Sequence, residues 1–345
     1  MIPVKPIQFK DGKLILLDQR LLPHEETYIE CNTLEDGFKA IEQMIVRGAP
    51  CIGFAGIFSL ALWCQNNNFD LEKFEQACLY LKSSRPTAVN LAFEVDNVFE
   101  LIKSSNVTNP HESIIEFGFI QIKLLEEKNT LMANAAIAEL DRLYPEKKLN
   151  ILTHCNTGFL ACGTIGTALG VIQLLGAQNR IENVWVDETR PYLQRSRLTA
   201  FELQKLGIPF KVVVEGSSSY LMREKLVDAI FVGADRIVLN GDTANKIGTS
   251  SLSIVASYYK VPFYVVAPLS SFDPKMETGA EIEIELRSEE EITKIKNIKI
   301  SPDHTRALNP SFDITSGETI TKIICEKGCL SKPFTDSIRE LFYEN

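Results

Sequence analysis

The sequence has no long apolar run and no secretory leader pattern. Its most apolar stretch, Ile52 to Cys64, is too short to span a bilayer. The first residues, MIPVKPIQFKDGKLILLDQRLL, mix Lys, Asp and Arg into their apolar residues, which is unlike a signal peptide. We therefore expect a cytoplasmic protein with no membrane partner.

Cysteine is too sparse for the disulfide framework of a small secreted protein. Eight cysteines are scattered singly along 345 residues, whereas such frameworks combine a short chain with dense cysteine. We expect reduced thiols. Cys325 and Cys329 form a C-x-x-x-C spacing, which we expect on a helix face in a packing role.

Positive charge is also in deficit, with 36 Lys and Arg against 45 Asp and Glu and a net charge of −9. Binding to a nucleic-acid backbone needs clustered Lys and Arg, so nucleic acid is not an expected partner. A local basic site for a small anion stays compatible with this balance.

Common nucleotide and metal motifs are missing. The sequence contains neither G-x-G-x-x-G nor G-x-x-x-x-G-K-[ST]. His154, Cys155 and Cys162 are the side chains nearest to a ligand cluster, but their spacing fits no zinc pattern. We therefore expect no metal site.

The pattern of apolar residues changes near residue 145, and the length of the chain also suggests two domains. Residues 1–145 are mainly helical after a short hairpin, IQFKDGKLILL, with Asp-Gly at its turn. Thr33 is the predicted N-cap of the first helix. In residues 146–345, short apolar runs alternate with helical stretches, which predicts an α/β domain with a parallel sheet covered on both faces.

The runs NILTHC, NVWVDETRP and AIFVGAD each end in polar or small residues. Ligands bind outside the carboxyl ends of strands in open parallel sheets. We therefore expect Cys155 and Asp235 to face one crevice, with Glu188, Thr189 and Arg190 at the same edge.

Cys155 lies in THCNTGFLACGTIGTALGV, where a predicted strand runs into a small-residue stretch. A thiol at a helix start can have a lowered pKa and act chemically, although most cysteines are buried hydrophobic residues. The glycine-rich turns suit either phosphate binding or close helix packing. Both readings stay open at this point.

Asp235 ends a fully apolar run, where a low dielectric would raise its pKa and allow it to act as a general acid. A helix N-cap or an ion pair with Arg236 explains it equally well. A thiol base and a carboxylic acid in one crevice fit proton transfer on a sugar or carbonyl substrate.

Basic residues at predicted helix starts indicate an anion. Asn245 and Lys246 lie where a loop is expected to enter a helix, and a lysine there is unfavourable unless it contacts an anion. Arg47, in the RGAP break between two apolar helices, fits a phosphate in the same way. Arg85 and Gln194 are weaker candidates.

The motifs RGAPCIG, RPTAVNL, THCNTG, ETRPYLQRSRLTAFEL and GADRIVLNGDTANKIGT together resemble the methylthioribose-1-phosphate isomerase family. That family belongs to a wider superfamily with regulatory subunits of translation-initiation exchange factors. The resemblance covers about residues 35 to 330. It implies a Rossmann-like second domain, a homodimer, no metal or organic cofactor, and isomerisation of 5-methylthioribose 1-phosphate in methionine salvage.

By position, the resemblance makes Cys155 the catalytic cysteine and Asp235 the proton donor. It places the substrate, a small phosphorylated sugar, against seven residues: Arg47, Gly48, Ala49, Arg85, Gln194, Asn245 and Lys246. Arg195 departs from the pattern because glycine is typical there, and the segment around Ser217 departs as well. A related substrate, 5-deoxyribose 1-phosphate or ribose 1,5-bisphosphate, and a non-catalytic regulatory subunit are the alternatives.

Overall fold

The computed structural model describes residues 2–86, 88–104, 107–295 and 298–343. The chain forms two compact units. Unit 1 comprises residues 1–127 and 158–166, and unit 2 comprises residues 128–157 and 167–345. The domain boundary expected between residues 145 and 146 stays a prediction. Thr87, in the RPTAVNL motif, lies outside the described residues.

Unit 1 begins with a three-stranded antiparallel sheet. Its strands are β1 (Ile7–Lys10), β2 (Lys13–Leu17) and β3 (Tyr28–Cys31). Asp11 and Gly12 join β1 to β2 with φ of 51° and 71°, the left-handed values that a tight two-residue hairpin turn needs. The hairpin is confirmed, and β3 is an addition to it.

Helices follow: α1 (Leu34–Glu42), α2 (Ala49–Asn66), α3 (Leu71–Lys82), α4 (Val89–Ser104) and α5 (Pro110–Leu143), the last of which continues into unit 2. The Thr33 hydroxyl accepts the Asp36 N–H at 3.1 Å, so the predicted N-cap is confirmed. The apolar helix α2 lies in the core of this unit. No helix within the described ranges is long and apolar enough to cross a membrane.

The remaining elements alternate between strands and helices. They are β4 (Leu149–His154), α6 (Phe159–Cys162, in unit 1), α7 (Ala168–Ala177), β5 (Ile181–Glu188), α8 (Ala200–Lys205), β6 (Phe210–Val214), α9 (Ser218–Arg223), β7 (Ala229–Val232), β8 (Arg236–Val238), β9 (Thr243–Lys246), α10 (Thr249–Tyr259), β10 (Phe263–Val266), β11 (Phe272–Asp273), α11 (Glu290–Thr293), β12 (Lys294–Ile295), β13 (Ile298–Lys299), β14 (Phe312–Thr315), β15 (Lys322–Cys325), β16 (Gly328–Leu330) and α12 (Phe334–Tyr343).

The main sheet of unit 2 has seven strands in the order β16-β15-β10-β7-β4-β5-β6. Neighbouring strands from β15 to β6 pair in parallel, and β16 is antiparallel at one edge. Successive residues such as Ile151 and Leu152 enter different buried clusters, so both faces are covered. The predicted α/β class, with helices first and a parallel sheet second, is confirmed.

The strand order of this sheet reverses between β4 and β7. After β4 the chain adds β5 and β6 on one side of β4, and it then adds β7, β10 and β15 on the other side. Such a reversal opens a crevice at the carboxyl ends of the two strands, and ligands of open α/β sheets bind there. The residues that follow His154 and Val232, which pair in register, therefore hold the position of interest.

Two expectations about secondary structure were wrong. Asn245 and Lys246 lie on β9, within a second sheet of order β11-β8-β9-β14, and α10 begins only at Thr249. Cys325 and Cys329 lie on β15 and β16, not on a helix. In both places pairing with a neighbouring strand decides the structure, which local spacing does not report.

Candidate active site

Cys155 is the first residue after β4, at the reversal point of the sheet. Its φ of 75° is left-handed, which is rare for a residue with a side chain. The residue is half-buried, and its carbonyl accepts the Thr199 hydroxyl at 3.4 Å. The backbone is thus held in an uncommon conformation at the place where a ligand is expected.

Asp235 lies three residues beyond β7, the strand next to β4. Its N–H donates to the Ala244 carbonyl at 2.9 Å, which fixes its backbone against β9. Gly233 lets this segment approach the loop after β4, because a Cβ there would lie 2.6 Å from Thr157 Cγ2. The two segments therefore leave adjacent strands and stay close together.

The surroundings of Asp235 differ from those expected. The residue is exposed, so the enclosed, low-dielectric setting expected for it is not found. Arg236, the ion-pair partner considered for Asp235, has its Nη1 3.4 Å from Asp273 Oδ2. The apolar strand before Asp235 ends at Val232, so two residues separate Asp235 from the buried strand.

His154, which precedes Cys155 in the chain, is buried. Its Nδ1 lies 2.8 Å from Asp187 Oδ2, and its Nε2 lies 3.0 Å from the Ile247 carbonyl oxygen. Burial lowers the pKa of the imidazole, and the Arg195 charge lowers it further, against the Asp187 carboxylate. The ring ties β4 to β5 and to the segment after β9.

Glu188, the last residue of β5, organises the loop that follows. Its carboxylate accepts three backbone N–H groups: Oε1 from Thr189 at 2.7 Å and Arg195 at 3.3 Å, and Oε2 from Ser196 at 2.7 Å. These bonds fix the start of a single π-helical turn, Arg195–Thr199. The sequence placed Glu188 at the crevice edge but gave no sign of this clamping role.

Asn156 anchors the same turn from the other side. Its Nδ2 donates to Glu202 Oε1 at 2.7 Å and to Thr199 Oγ1 at 3.3 Å. Asn156, Thr199 and Glu202 are all buried. The residues THCN therefore supply a buried imidazole, a half-buried thiol and a structural amide.

A small cavity in unit 2 joins two of the predicted substrate-binding residues, Gln194 and Lys246, with Arg195 and Arg287 in its lining. The Lys246 ammonium donates to the Ser311 carbonyl at 2.9 Å and lies 4.4 Å from the centre of the Phe312 ring. Asn245 is buried, and its Nδ2 donates to Thr249 Oγ1 at 3.1 Å. Among the described residues, the cavity lining thus holds four basic side chains and one acid, Glu291, whose Oε1 lies 2.8 Å from Arg287 Nη2, while Asn245 precedes the lining residue Lys246.

The N-terminus of α10 binds an acid of the chain itself. Asp313 accepts the Gly248 N–H at 2.7 Å and the Ser250 N–H at 3.1 Å. Burial raises the pKa of this carboxyl group, and both N–H groups oppose that effect. Asp313 was not singled out from sequence, because its partners lie more than 60 residues away.

Within the described ranges, no group of three or more His, Cys, Asp and Glu side chains is placed to hold a metal ion. His154 and Cys155 are adjacent in the chain, but each ring nitrogen of His154 already lies within 3.0 Å of a protein oxygen.

Known proteins are similar to this chain over nearly its whole length. The model of the Initiation factor 2 subunit family matches residues 45–332. A methylthioribose-1-phosphate isomerase of Caldicellulosiruptor saccharolyticus is 44% identical over 98% of this chain and 99% of its own. One of Caldanaerobacter subterraneus subsp. tengcongensis is 45% identical over 99% of this chain and 100% of its own. The chain belongs to the methylthioribose-1-phosphate isomerase family.

Solved structures of an isomerase and of an initiation-factor subunit are similar to this chain. A 5-methylthioribose 1-phosphate isomerase from Pyrococcus horikoshii OT3 superposes with a TM-score of 0.92 at 36% identity, over 99% of this chain and 96% of its own. Subunit delta of the translation initiation factor eIF-2B from A. fulgidus gives a TM-score of 0.87 at 33% identity, over 98% and 99%.

The other positions that the isomerase family implies for the substrate lie in unit 1. Gly48, with φ of 91°, caps α2, and Arg47 and Ala49 flank it. A Cβ on Gly48 would lie 2.4 Å from Ala161 Cα, so only glycine fits beside α6. Arg85 is half-buried in the segment between α3 and α4, where its carbonyl accepts the Ala88 N–H at 2.9 Å.

Proposed function

We propose that this isomerase converts 5-methylthioribose 1-phosphate to 5-methylthioribulose 1-phosphate in methionine salvage. The observation that carries the proposal is the 44–45% identity to isomerases of that name over nearly the whole chain. Cys155 and Asp235, the residues assigned to the chemistry, follow neighbouring strands at the reversal point of the sheet.

The anomeric carbon of this substrate carries a phosphate, so the ring cannot open spontaneously to a free aldehyde. Asp235, whose role as proton donor rests on the family resemblance, protonates the ring oxygen while the bond from that oxygen to C1 breaks. One hydrogen then moves from C2 to C1, and the C2 hydroxyl becomes the ketone as it loses its proton. Cys155 either removes the C2 proton as a thiolate, which gives an enolate, or stabilises a direct hydride shift.

The assignment of Arg47, Gly48, Ala49, Arg85, Gln194, Asn245 and Lys246 to substrate binding is part of the same proposal. It rests on the family resemblance, and for Gln194 and Lys246 also on their shared cavity. The proposed reaction uses side chains of the protein and needs no metal ion or organic cofactor.

We further propose that the enzyme is a cytoplasmic homodimer whose second domain, residues 146–345 after a helical domain of residues 1–145, is Rossmann-like. Six strands of the sheet follow the order 3-2-1-4-5-6 when they are numbered from β4, which is that of dinucleotide-binding sheets. The homodimer and the cellular address rest on the resemblance and on the sequence.

The test is turnover of three sugar phosphates in parallel, followed by NMR. We expect ketose to form fastest from 5-methylthioribose 1-phosphate. Faster conversion of 5-deoxyribose 1-phosphate or ribose 1,5-bisphosphate would contradict the proposed substrate, and no conversion would contradict the enzyme. The same reaction in D₂O separates the two routes, since only proton removal by Cys155 allows solvent deuterium to enter at C1.

A further inference from the structure

Arg195 is a buried cation at a position where the family resemblance leads us to expect glycine. It is 1% exposed, and it is the largest fully buried side chain in the described ranges. Burial lowers the pKa of its guanidinium, and the charges of Cys155, Asp187, Glu188 and Glu215 oppose that effect. A guanidinium at such depth needs a compensating interaction.

Part of the hydrogen-bonding capacity of Arg195 is unused within the described part of the chain. Among the residues that the structure describes, its Nε and Nη2 have no hydrogen-bond partner, and both atoms are buried. These two nitrogens form one edge of the planar guanidinium, which matches the spacing of two oxygens in a carboxylate or a phosphate.

Other arginines of this chain fill that edge with a carboxylate. Arg20 donates from Nε and Nη2 to the Asp18 oxygens at 2.9 and 2.7 Å. Arg306 donates from the same two nitrogens to Glu289 at 3.0 and 2.8 Å. The edge of Arg195 is therefore a two-donor oxyanion site for which the described residues supply no oxyanion.

None of the described acids around Arg195 bonds to its Nε or Nη2, and Asp187 Oδ1 itself has no hydrogen-bond partner among the described residues. Asp187 faces His154 through Oδ2, and the Glu188 carboxylate accepts three backbone N–H groups. They balance the charge of Arg195 without bonding to its Nε and Nη2. Within the described residues these two donors therefore have no acceptor, and an oxyanion bound in the cavity would supply one.

The cavity that Arg195 lines indicates which kind of group would accept from its Nε and Nη2. The side chain lines the same cavity as Gln194 and Lys246, and its charge interacts with that of Cys155. It opens a π-helical turn, a feature that often marks functional sites. A group that enters this cavity beside the Lys246 ammonium would meet two positive charges.

We propose that Arg195 binds the phosphate of the sugar phosphate through Nε and Nη2, beside Lys246, as a specificity-determining residue additional to those of the family pattern. The identity of the phosphate group rests on the proposed function. Glycine has no side chain for this contact, so the enzyme should hold a phosphate ester more tightly than a relative with glycine there.

Titration with inorganic phosphate, followed by calorimetry, tests this contact without turnover. Loss of a charge-assisted bidentate contact in Arg195→Gly should raise the Kd for phosphate by about tenfold or more. Arg195→Lys keeps the charge but not the two-donor edge, so its Kd for phosphate should lie between those of the wild type and Arg195→Gly. Arg223→Gly, which removes an exposed arginine of unit 2, should bind phosphate like the wild type.

Turnover adds a second readout that a purely structural role would not produce. For a contact to phosphate that is equal in substrate and transition state, the KM should rise in Arg195→Gly while kcat stays within a few fold. Circular dichroism and the melting temperature check the fold. Where Arg195→Gly does not fold, Arg195→Lys decides the question by the same two readouts.

Equal phosphate affinity in the wild type and in folded Arg195→Gly or Arg195→Lys would overturn the proposal. So would an unchanged affinity with an altered pH profile of thiol alkylation, since the guanidinium would then act on Cys155. A wild-type protein that turns over no sugar phosphate refutes the proposed function, and the phosphate titration still decides the role of Arg195.

Discussion

Cys155 carries its side chain on a left-handed backbone, with φ of 75°. Such a conformation is strained for a residue other than glycine, and it persists only where the surroundings impose it. Here the Thr199 hydroxyl bonds to the Cys155 carbonyl, while Asn156 next to it is tied to Glu202. The strain is located where the proposed reaction needs the thiol.

At the same residue scale, His154 makes stability depend on pH. Its folded-state pKa is lowered by burial, so the unfolded chain binds more protons than the native one below the unfolded value. The contribution of His154 to the free energy of unfolding is fully present above about pH 6.5. As the pH falls below that value, the free energy of unfolding decreases by up to about 1.4 kcal/mol per pH unit.

Denaturant unfolding at several pH values between 7.5 and 5.5 measures this slope. We expect His154→Asn to lose part of it, whatever its stability at neutral pH. His24→Asn, which changes an exposed histidine, is the control and should keep the wild-type slope. Identical slopes in all three proteins would mean that His154 does not take part in acid destabilisation.

At the scale of elements, Glu188 joins the end of β5 to the π-helical turn. Glutamine has one acceptor oxygen where Glu188 offers two, so Glu188→Gln should lose about 1.5–3 kcal/mol of charge-assisted bonding. We expect a lower melting temperature and faster amide exchange at Ser196. Glu182→Gln, on an exposed position of the same strand, should change neither.

Helix α2 begins at a contact that admits only glycine. A Cβ on Gly48 would lie 2.4 Å from Ala161 Cα and 2.5 Å from its carbonyl oxygen, both backbone atoms. Gly48→Ala should therefore destabilise the protein by about 3 kcal/mol or more, measured by denaturant unfolding.

Two matched variants distinguish the steric contact with Ala161 from the free-energy cost of placing alanine at a positive φ. Gly207→Ala shares a positive φ of 67° but meets no atom within 4 Å, so it should cost about 1 kcal/mol. Gly216→Ala has neither feature and should cost little. A cost for Gly48→Ala no greater than that for Gly207→Ala would contradict the close approach to Ala161.

The long elements could be predicted because their sequences are consistent over many residues. The strand β7 is apolar throughout, and β4 and β5 each contain a short apolar stretch, IL and VWV, of the kind that a sheet covered on both faces favours. The sheet of β8, β9, β11 and β14 was missed because its strands have two to four residues and contain Asn, Asp and Lys. These short strands form because they pair with one another, and they are too short for a pattern of apolar and polar residues to predict them.

The candidate site was predictable in its positions and less so in its environment. Cys155 and Asp235 do follow adjacent strands, since strand ends fix their place. The exposure of Asp235 and the clamping by Glu188 and Asp313 depend on the paths of loops between strands. Contacts between residues so distant in sequence leave no periodic signal.

At the scale of the whole molecule, the proposed homodimer gives a simple prediction. Sedimentation velocity at micromolar concentration should show a species of twice the chain mass of 38.7 kDa. A stable monomer under those conditions would contradict the proposal. The measurement is independent of activity, so the isomerase assignment would stand in either case.

In the proposed reaction, this isomerase acts on 5-methylthioribose 1-phosphate through Cys155. The most direct measurement is the initial rate of ketose formation by the wild type and by Cys155→Ser, with Cys329→Ser, another half-buried cysteine, as the control. We predict wild-type rates for the control and a loss of about 10²–10⁴-fold in folded Cys155→Ser. An undiminished rate in Cys155→Ser would contradict the account.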